Sequence, residues 1–385
     1  MQQVVRHRHV FYIDGFDPKG VPAFYQSHRG QLKKYTRLTG TAHALSERVK
    51  TSRYSHAWTV KADHTPAPTH TTFEYLVWDD IVRSHWARTP AAIARQAWRC
   101  FRDFALSGVI RPLYRLAPAT VRAALIPYFL TLLTALGVVC ASGAAYLVLT
   151  WLKAGSLAAL LGSLVTIAVT ASFGWRALKN TPSMWFFRVV DFANTLARQK
   201  DPKIDARITA WADRILDVLQ TSGADEVVVL GYSAGSSLSV QLMAKIARRQ
   251  PSGAAAQHGM VLLTLGNCIP AVAALQSGQQ MRLDLATVGQ SQCGWLDYTS
   301  PIDWSAFPMV NPVSVYTPES DMTPQNRRFA SPRFHLLFEG ENYRKIRRDK
   351  YHVHQLYIQC PPKTGHYDFF DMIYGQHSVL QRIAA

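Results

Sequence analysis

Between Ala123 and Trp151 this chain carries no charged side chain, and after Lys153 a second charge-free stretch runs from Ala154 to Trp175. Nothing else in the sequence constrains the fold as strongly. At 1.5 Å per residue, a helix over either stretch crosses the roughly 30 Å hydrocarbon core of a bilayer. A soluble helix of that length carries charge along one face, and these carry none. Lys153, Gly155 and Ser156 interrupt the run and leave room only for a tight turn. The expectation is a transmembrane helical hairpin over residues 123–175. The competing expectation is a hairpin buried in a soluble core.

The flanks give the hairpin a direction. Arg111, Arg115 and Arg122 precede it, and Arg176, Lys179 and Arg188 follow it. Basic residues stay on the cytoplasmic side, so both termini are expected there, with two spans between them, as in a bacterial inner membrane. Residues 1–8 are polar and the apolar run after them is short, so no secretory signal is expected.

Lys and Arg number 42 against 25 Asp and Glu, a formal net charge of +17. Such a balance points to an anionic partner. From Ile81 to Arg115, arginines alternate with Trp86, Trp98, Phe101 and Phe104. This reads as a basic amphipathic helix, residues 81–122, lying on an anionic membrane surface or covering the soluble fold. Nucleic acid is not expected: zinc-finger spacing and RNP-like strands are missing, and Arg344–Arg348 is the one basic cluster. The five cysteines are widely spaced, without a CxxC pair. They read as reduced thiols, with neither a disulfide framework nor a metal site. No cofactor is expected.

The chemistry is concentrated in Gly231-Tyr232-Ser233-Ala234-Gly235. A β-favouring run, Val227 to Leu230, leads into it. A segment with Leu238, Leu242, Met243 and Ile246 on one helical face follows. A serine on such a strand-to-helix turn sits in a strained conformation that presents its hydroxyl at the sheet edge. The plainer alternative is a Gly/Ser turn that caps a helix.

Around this motif the chain resembles the α/β-hydrolase superfamily. The resemblance covers the chain apart from the membrane insertion. It implies an α/β fold with a mostly parallel sheet, a nucleophilic serine, and partners in the chain order Ser, Asp or Glu, His. Residues 1–80 would hold the first part of the sheet with an oxyanion loop. Residues 176–385 would hold the nucleophile, acid and base.

Within that frame Ser233 is the nucleophile. The base is expected at His366, on a loop after the last strand. His352 and His354 are assigned to a strand over His352–Gln359 that would pin them, and His335 and His377 fit the order less well. Asp303 is the first choice for the acid, Asp297 the second. Asp321 is third, gaining weight if Val313–Tyr316 is a strand. The oxyanion donors are expected to be the Ala234 amide and an amide of Gly15 or Phe16. The implied function is a membrane-anchored serine hydrolase that cleaves an ester or thioester of a lipid or acyl substrate. Transfer to an acceptor other than water and a non-catalytic scaffold at the membrane are the alternatives. The oligomeric state is left open.

Overall fold

The computed structural model describes residues 4–179, 182–249, 259–317 and 327–384. Among them nine strands form one sheet: β1 (His7–Ile13), β2 (His43–Leu45), β3 (Val49–Ser52), β4 (Ser55–Ala62), β5 (Thr69–Leu76), β6 (Glu226–Tyr232), β7 (Met260–Leu265), β8 (Gly294–Tyr298) and β9 (Arg327–Ala330). The order is β2-β4-β5-β1-β6-β7-β8-β9, with β3 also on β4. From β5 to β9 every neighbouring pair is parallel. β4 runs antiparallel to β5, and β2 and β3 antiparallel to β4. The class is α/β with a mostly parallel mixed sheet.

α1 (Val21–Thr39) links β1 to β2. Between β5 and β6 lies a long helical excursion: α2 (Asp79–His85), α3 (Pro90–Cys100), a π-helical turn at Phe101–Leu106, α4 (Ile110–Leu116), α5 (Pro118–Trp151), α6 (Ser156–Lys179), α7 (Pro182–Ala197) and α8 (Pro202–Thr221). α9 (Gly235–Arg249) joins β6 to β7. α10 (Ile269–Ala273) and α11 (Gln279–Gln290) join β7 to β8, and α12 (Pro312–Tyr316) precedes β9. Beyond β9 come α13 (Gly340–Ile346), α14 (Lys350–Gln355), α15 (Phe369–Tyr374) and α16 (Val379–Ala384).

The period-two alternation of each strand divides the core between the two sheet faces. Phe11 and Ile13 of β1, with Val227 and Val229 of β6, join Trp211 and Ile215 of α8 and Leu238 and Leu242 of α9. Val10, Tyr12, Val228 and Leu230 face the other way, onto Phe24 and Leu32 of α1 and Phe369 and Ile373 of α15. β6 is buried over its whole length. A strand with parallel neighbours and helices on both faces needs such an unbroken apolar run.

α5 has 34 residues, about 51 Å of helix. It and α6 have mean hydropathies of 2.1 and 1.9 and are long and apolar enough to span a membrane. In each, only 11% of the most apolar window is buried. Leu132, Val139 and Leu147 are about two-thirds exposed. This rules out a hairpin buried in a soluble core. The turn between the helices uses left-handed Lys153 and Gly155.

Four sequence expectations are corrected. The basic segment is not one helix but α2, α3, the π turn and α4. Several of its arginines are paired, Arg83 with Asp79, Arg99 with Asp191 and Arg102 with Asp103. Val313–Tyr316 is helical because Asn311 caps it, accepting from the amides of Val313 and Ser314, with Pro312 in the first turn. His352–Gln359 is α14 followed by a 3₁₀ turn, Leu356–Ile358. The last strand is instead β9.

Candidate active site

In a parallel sheet all carboxyl ends of the strands reach one edge, and ligands of such sheets bind there. β1 ends there in Asp14-Gly15-Phe16, beside the turn at the end of β6. β8 ends in the segment that carries Asp303.

Ser233 occupies that β6–α9 turn with φ of 55°, left-handed for a residue with a side chain. Its amide donates to the Leu265 carbonyl at 2.8 Å, so β7 holds the strained turn in place. The flanking glycines are required by close approach. A methyl on Gly235 would strike the carbonyls of Ile13 and Asp14, and one on Gly231 the Ser239 hydroxyl and the Ser236 backbone. The β1 loop therefore lies directly on the elbow.

His354 lies between Ser233 and Asp303. Its Nε2 lies 2.7 Å from Ser233 Oγ, and its Nδ1 lies 2.7 Å from Asp303 Oδ2. All three residues are at least 98% buried. The ring stacks on Tyr232, centroids 5.3 Å apart, and also meets Trp185. The Tyr232 hydroxyl donates to the His354 carbonyl at 2.8 Å. The carboxylate favours the tautomer with the proton on Nδ1, leaving the Nε2 lone pair to accept the serine proton.

His366 is therefore not in the site. It is exposed on the loop that follows the 3₁₀ turn, and among the described residues it makes no bond to Ser233 or Asp303. The alternation His352-Val353-His354 mimics a strand. The local signal for a helix is Asp349, whose side chain accepts from the His352 amide at 3.0 Å and caps α14. On a helix, unlike a strand paired on both sides, His354 can project its ring from a covered backbone. His335 and His377 are exposed and lie outside the site.

Asp303 holds its expected place. Its amide donates to the Ser300 carbonyl, and Oδ1 accepts from the Ser305 amide at 2.8 Å. Oδ2, which faces His354, also accepts from the Tyr357 hydroxyl at 3.0 Å. The Ser300 amide donates to that hydroxyl in turn. Asp297 plays another part. It is buried in β8 and accepts from Thr264, Asn267 and Thr299, and burial raises its carboxyl to about 7. Asp321 lies outside the described residues.

The first loop gives the amides of Gly15 and Phe16 different surroundings. The Gly15 amide donates to Asp14 Oδ1 at 2.8 Å and is not a free donor. Gly15 instead allows the loop to approach: a Cβ there would be 3.1 Å from Ser233 Cβ. Among the described residues the amides of Phe16 and Ala234 have no acceptor, as two oxyanion donors would. Asp14 anchors the loop. It accepts from the Tyr12 and Tyr75 hydroxyls, and burial raises it to about 6 against the pull of its donors.

A cleft of about 240 Å³ opens on Ser233 and His354, with Asp14, Phe16, Lys19, Trp185 and Tyr351 in its walls. Among the described residues no three of His, Cys, Asp and Glu converge as metal ligands. No protein-family model, curated protein or solved structure matches the chain.

Proposed function

We propose that the protein is a membrane-anchored serine hydrolase of the α/β-hydrolase kind, cleaving an ester or thioester of an acyl substrate. One observation carries the reading: His354 bridges a left-handed Ser233 and a buried Asp303 with 2.7 Å bonds on both ring nitrogens. A turn that merely caps a helix needs neither the strain nor a buried histidine on the hydroxyl. The chain order Ser233, Asp303, His354 and the elbow at the carboxyl edge of β6 support the family reading.

In this mechanism Ser233 Oγ attacks the acyl carbon while its proton passes to His354 Nε2. Asp303 holds the imidazole and stabilises its charge. The carbonyl oxygen becomes an oxyanion between the amides of Ala234 and Phe16. The bond to the alcohol or thiol then breaks, and His354 returns the proton to that leaving group. Water, deprotonated by His354, releases the acid from the acyl-enzyme.

The exposed apolar helices α5 and α6 support the anchor, and their basic flanks support a cytoplasmic site. β1 and β6 are hydrogen-bonded neighbours although the hairpin separates them in sequence. Both halves of the sheet must therefore lie on one side of the bilayer, as two spans allow. Arg88, Arg95, Arg111 and Arg115 are exposed and, among the described residues, without a carboxylate partner. They suit an anionic lipid surface.

The test is labelling by a fluorophosphonate probe. Wild type and His366→Ala are expected to label, and Ser233→Ala and His354→Ala to lose labelling. Equal labelling of wild type and Ser233→Ala would end the nucleophile assignment.

A further inference from the structure

A second cavity, of about 180 Å³, lies where the base of α5 meets the soluble fold. Its walls are almost wholly apolar: Phe101 and Phe104 of the π turn, Leu125 of α5, and Phe186 and Ala193 of α7. Two of the polar side chains nearby are committed elsewhere. Thr120 donates to the Ala306 carbonyl at 2.5 Å and Tyr128 to the Ala97 carbonyl at 3.1 Å. An apolar cavity of about this size stays dry and takes apolar guests.

Its lining meets two different surroundings. Phe101 and Leu125, in its wall, are 41% and 42% exposed, so the cavity reaches the surface there. Leu125 belongs to the first turn of the charge-free stretch, where hydrocarbon begins if α5 spans a bilayer. Cys268 and Ser305 also line the cavity. The Cys268 amide donates to the Ser236 hydroxyl at 3.1 Å, one turn beyond Ser233, and its thiol donates to the Ser305 carbonyl at 3.2 Å. The Ser305 amide holds Asp303. Burial raises the Cys268 thiol to about 12, so it lines the cavity as an unreactive group.

We propose that this cavity is the acyl-chain site, and that the substrate is a membrane lipid or lipid-like acyl ester whose chain enters from the hydrocarbon layer at Leu125. The inference rests on the hydrolase reading and names the substrate class of that site. Such a chain exchanges bilayer for protein without crossing water. Its carbonyl reaches Ser233 past Cys268, and the leaving group occupies the cleft beside His354. α7 serves both spaces, with Trp185 in the cleft and Phe186 in the cavity.

The full-length protein in nanodiscs is assayed with straight-chain p-nitrophenyl esters of increasing acyl length. Each methylene buried is worth about fourfold in kcat/KM (about 0.8 kcal/mol). The expected profile climbs by about that factor over the first several methylenes and then levels off when the cavity is full. Ala124→Trp and Ala271→Phe fill the cavity from two half-buried wall positions. Each is expected to move the plateau to shorter chains and to lower the long-to-short ratio at least tenfold. Val139→Trp, on the exposed outer face of α5, should leave the profile unchanged. A flat wild-type profile, or a profile insensitive to both fillings in protein that still labels with the fluorophosphonate, overturns the acyl-site assignment and leaves the hydrolase reading intact. Absence of labelling in wild type overturns both. Because the wild-type profile is itself a test, loss of folding in a filled variant does not protect the proposal.

Discussion

Replacing Asp303 by Asn separates orientation from charge at the proposed site, and the hydrogen bonds around it fix what the new amide can do. In the first orientation the amide oxygen takes the place of Oδ1 and keeps the Ser305 amide. The NH₂ then faces His354 Nδ1, and the imidazole must carry its proton on Nε2, aimed at the Ser233 hydroxyl. In that tautomer the ring cannot accept the serine proton. In the flipped orientation the oxygen faces Nδ1 and the tautomer survives. The NH₂ would then meet the Ser305 amide, donor against donor in a buried loop, at a cost of about 1–3 kcal/mol. The Tyr357 hydroxyl does not tip the balance toward the flip, because it can accept from the NH₂ as readily as donate to an oxygen. The first orientation therefore dominates. The expected loss is about 10⁴-fold in kcat, about 5 kcal/mol of transition-state stabilisation. The assay is turnover of a short-chain p-nitrophenyl ester, with active sites counted by fluorophosphonate titration. Activity should recover partly at high pH, where hydroxide replaces the missing base. An Asp303→Asn enzyme within tenfold of wild type would refute the relay.

Tyr357→Phe removes the hydroxyl that donates to Asp303 and accepts from the Ser300 amide; the buried amide left unpaired should cost about 1–3 kcal/mol of stability by denaturant titration, with a smaller fall in kcat than in Asp303→Asn. Gly235→Ala drives a methyl into the carbonyls of Ile13 and Asp14, so labelling and stability should fall together, the latter by roughly 1–3 kcal/mol or more. Asp297 gives a pH signature. Its folded carboxyl is raised from 3.8 to about 7, so the folded state holds a proton that the unfolded chain releases. Its contribution is greatest below pH 4, declines as pH rises to about 7, and amounts to about 4 kcal/mol across that window. Asp297→Asn keeps the bonds from Thr264 and Asn267 and can donate to Thr299; it should flatten the stability profile between pH 6 and 7, above the range of Asp14, and an unchanged slope there would contradict the assignment.

What the sequence made legible follows from how local each signal is. The hairpin, β1, β6 and β7 are long runs with one strong pattern, and each lies where that pattern put it. The elbow was readable because strand, glycine, serine and helix follow one another without a gap. Asp303 was readable as a turn residue after a strand that exists. His354 was not, because alternating His352, Val353 and His354 mimic a strand over three residues, while the capping signal at Asp349 lies outside that window. β9 escaped notice because Arg327-Arg328-Phe329-Ala330 has no apolar alternation; its strand character comes from pairing with β8 at the sheet edge. The engagement of the Gly15 amide by Asp14 depends on two tyrosines from β1 and β5 that gather around that carboxyl, and no local pattern announces such a convergence.

The hairpin is more than an appendage on this fold. Val109, Leu113, Ala117 and Val121, from α4 and the base of α5, form a small core with Phe307 and Val310, which lie on the segment that follows Asp303. Thr120 ties the same base to the Ala306 carbonyl. Ser305, next in sequence, donates its amide to Asp303. The connection from the base of α5 to Asp303 is thus three consecutive residues, 305–307, each held by a named contact. On the other flank, α7 leaves α6 and places Trp185 against the His354 ring. The excursion between β5 and β6 therefore touches His354 directly and reaches Asp303 through residues 305–307. A free-standing sheet would have to position both from its own loops. Here the excursion that bears the apolar surface also supplies Trp185 to the wall of the cleft. If α5 spans a bilayer, its depth is joined to the geometry around Asp303 and His354 through packed side chains rather than through a flexible linker.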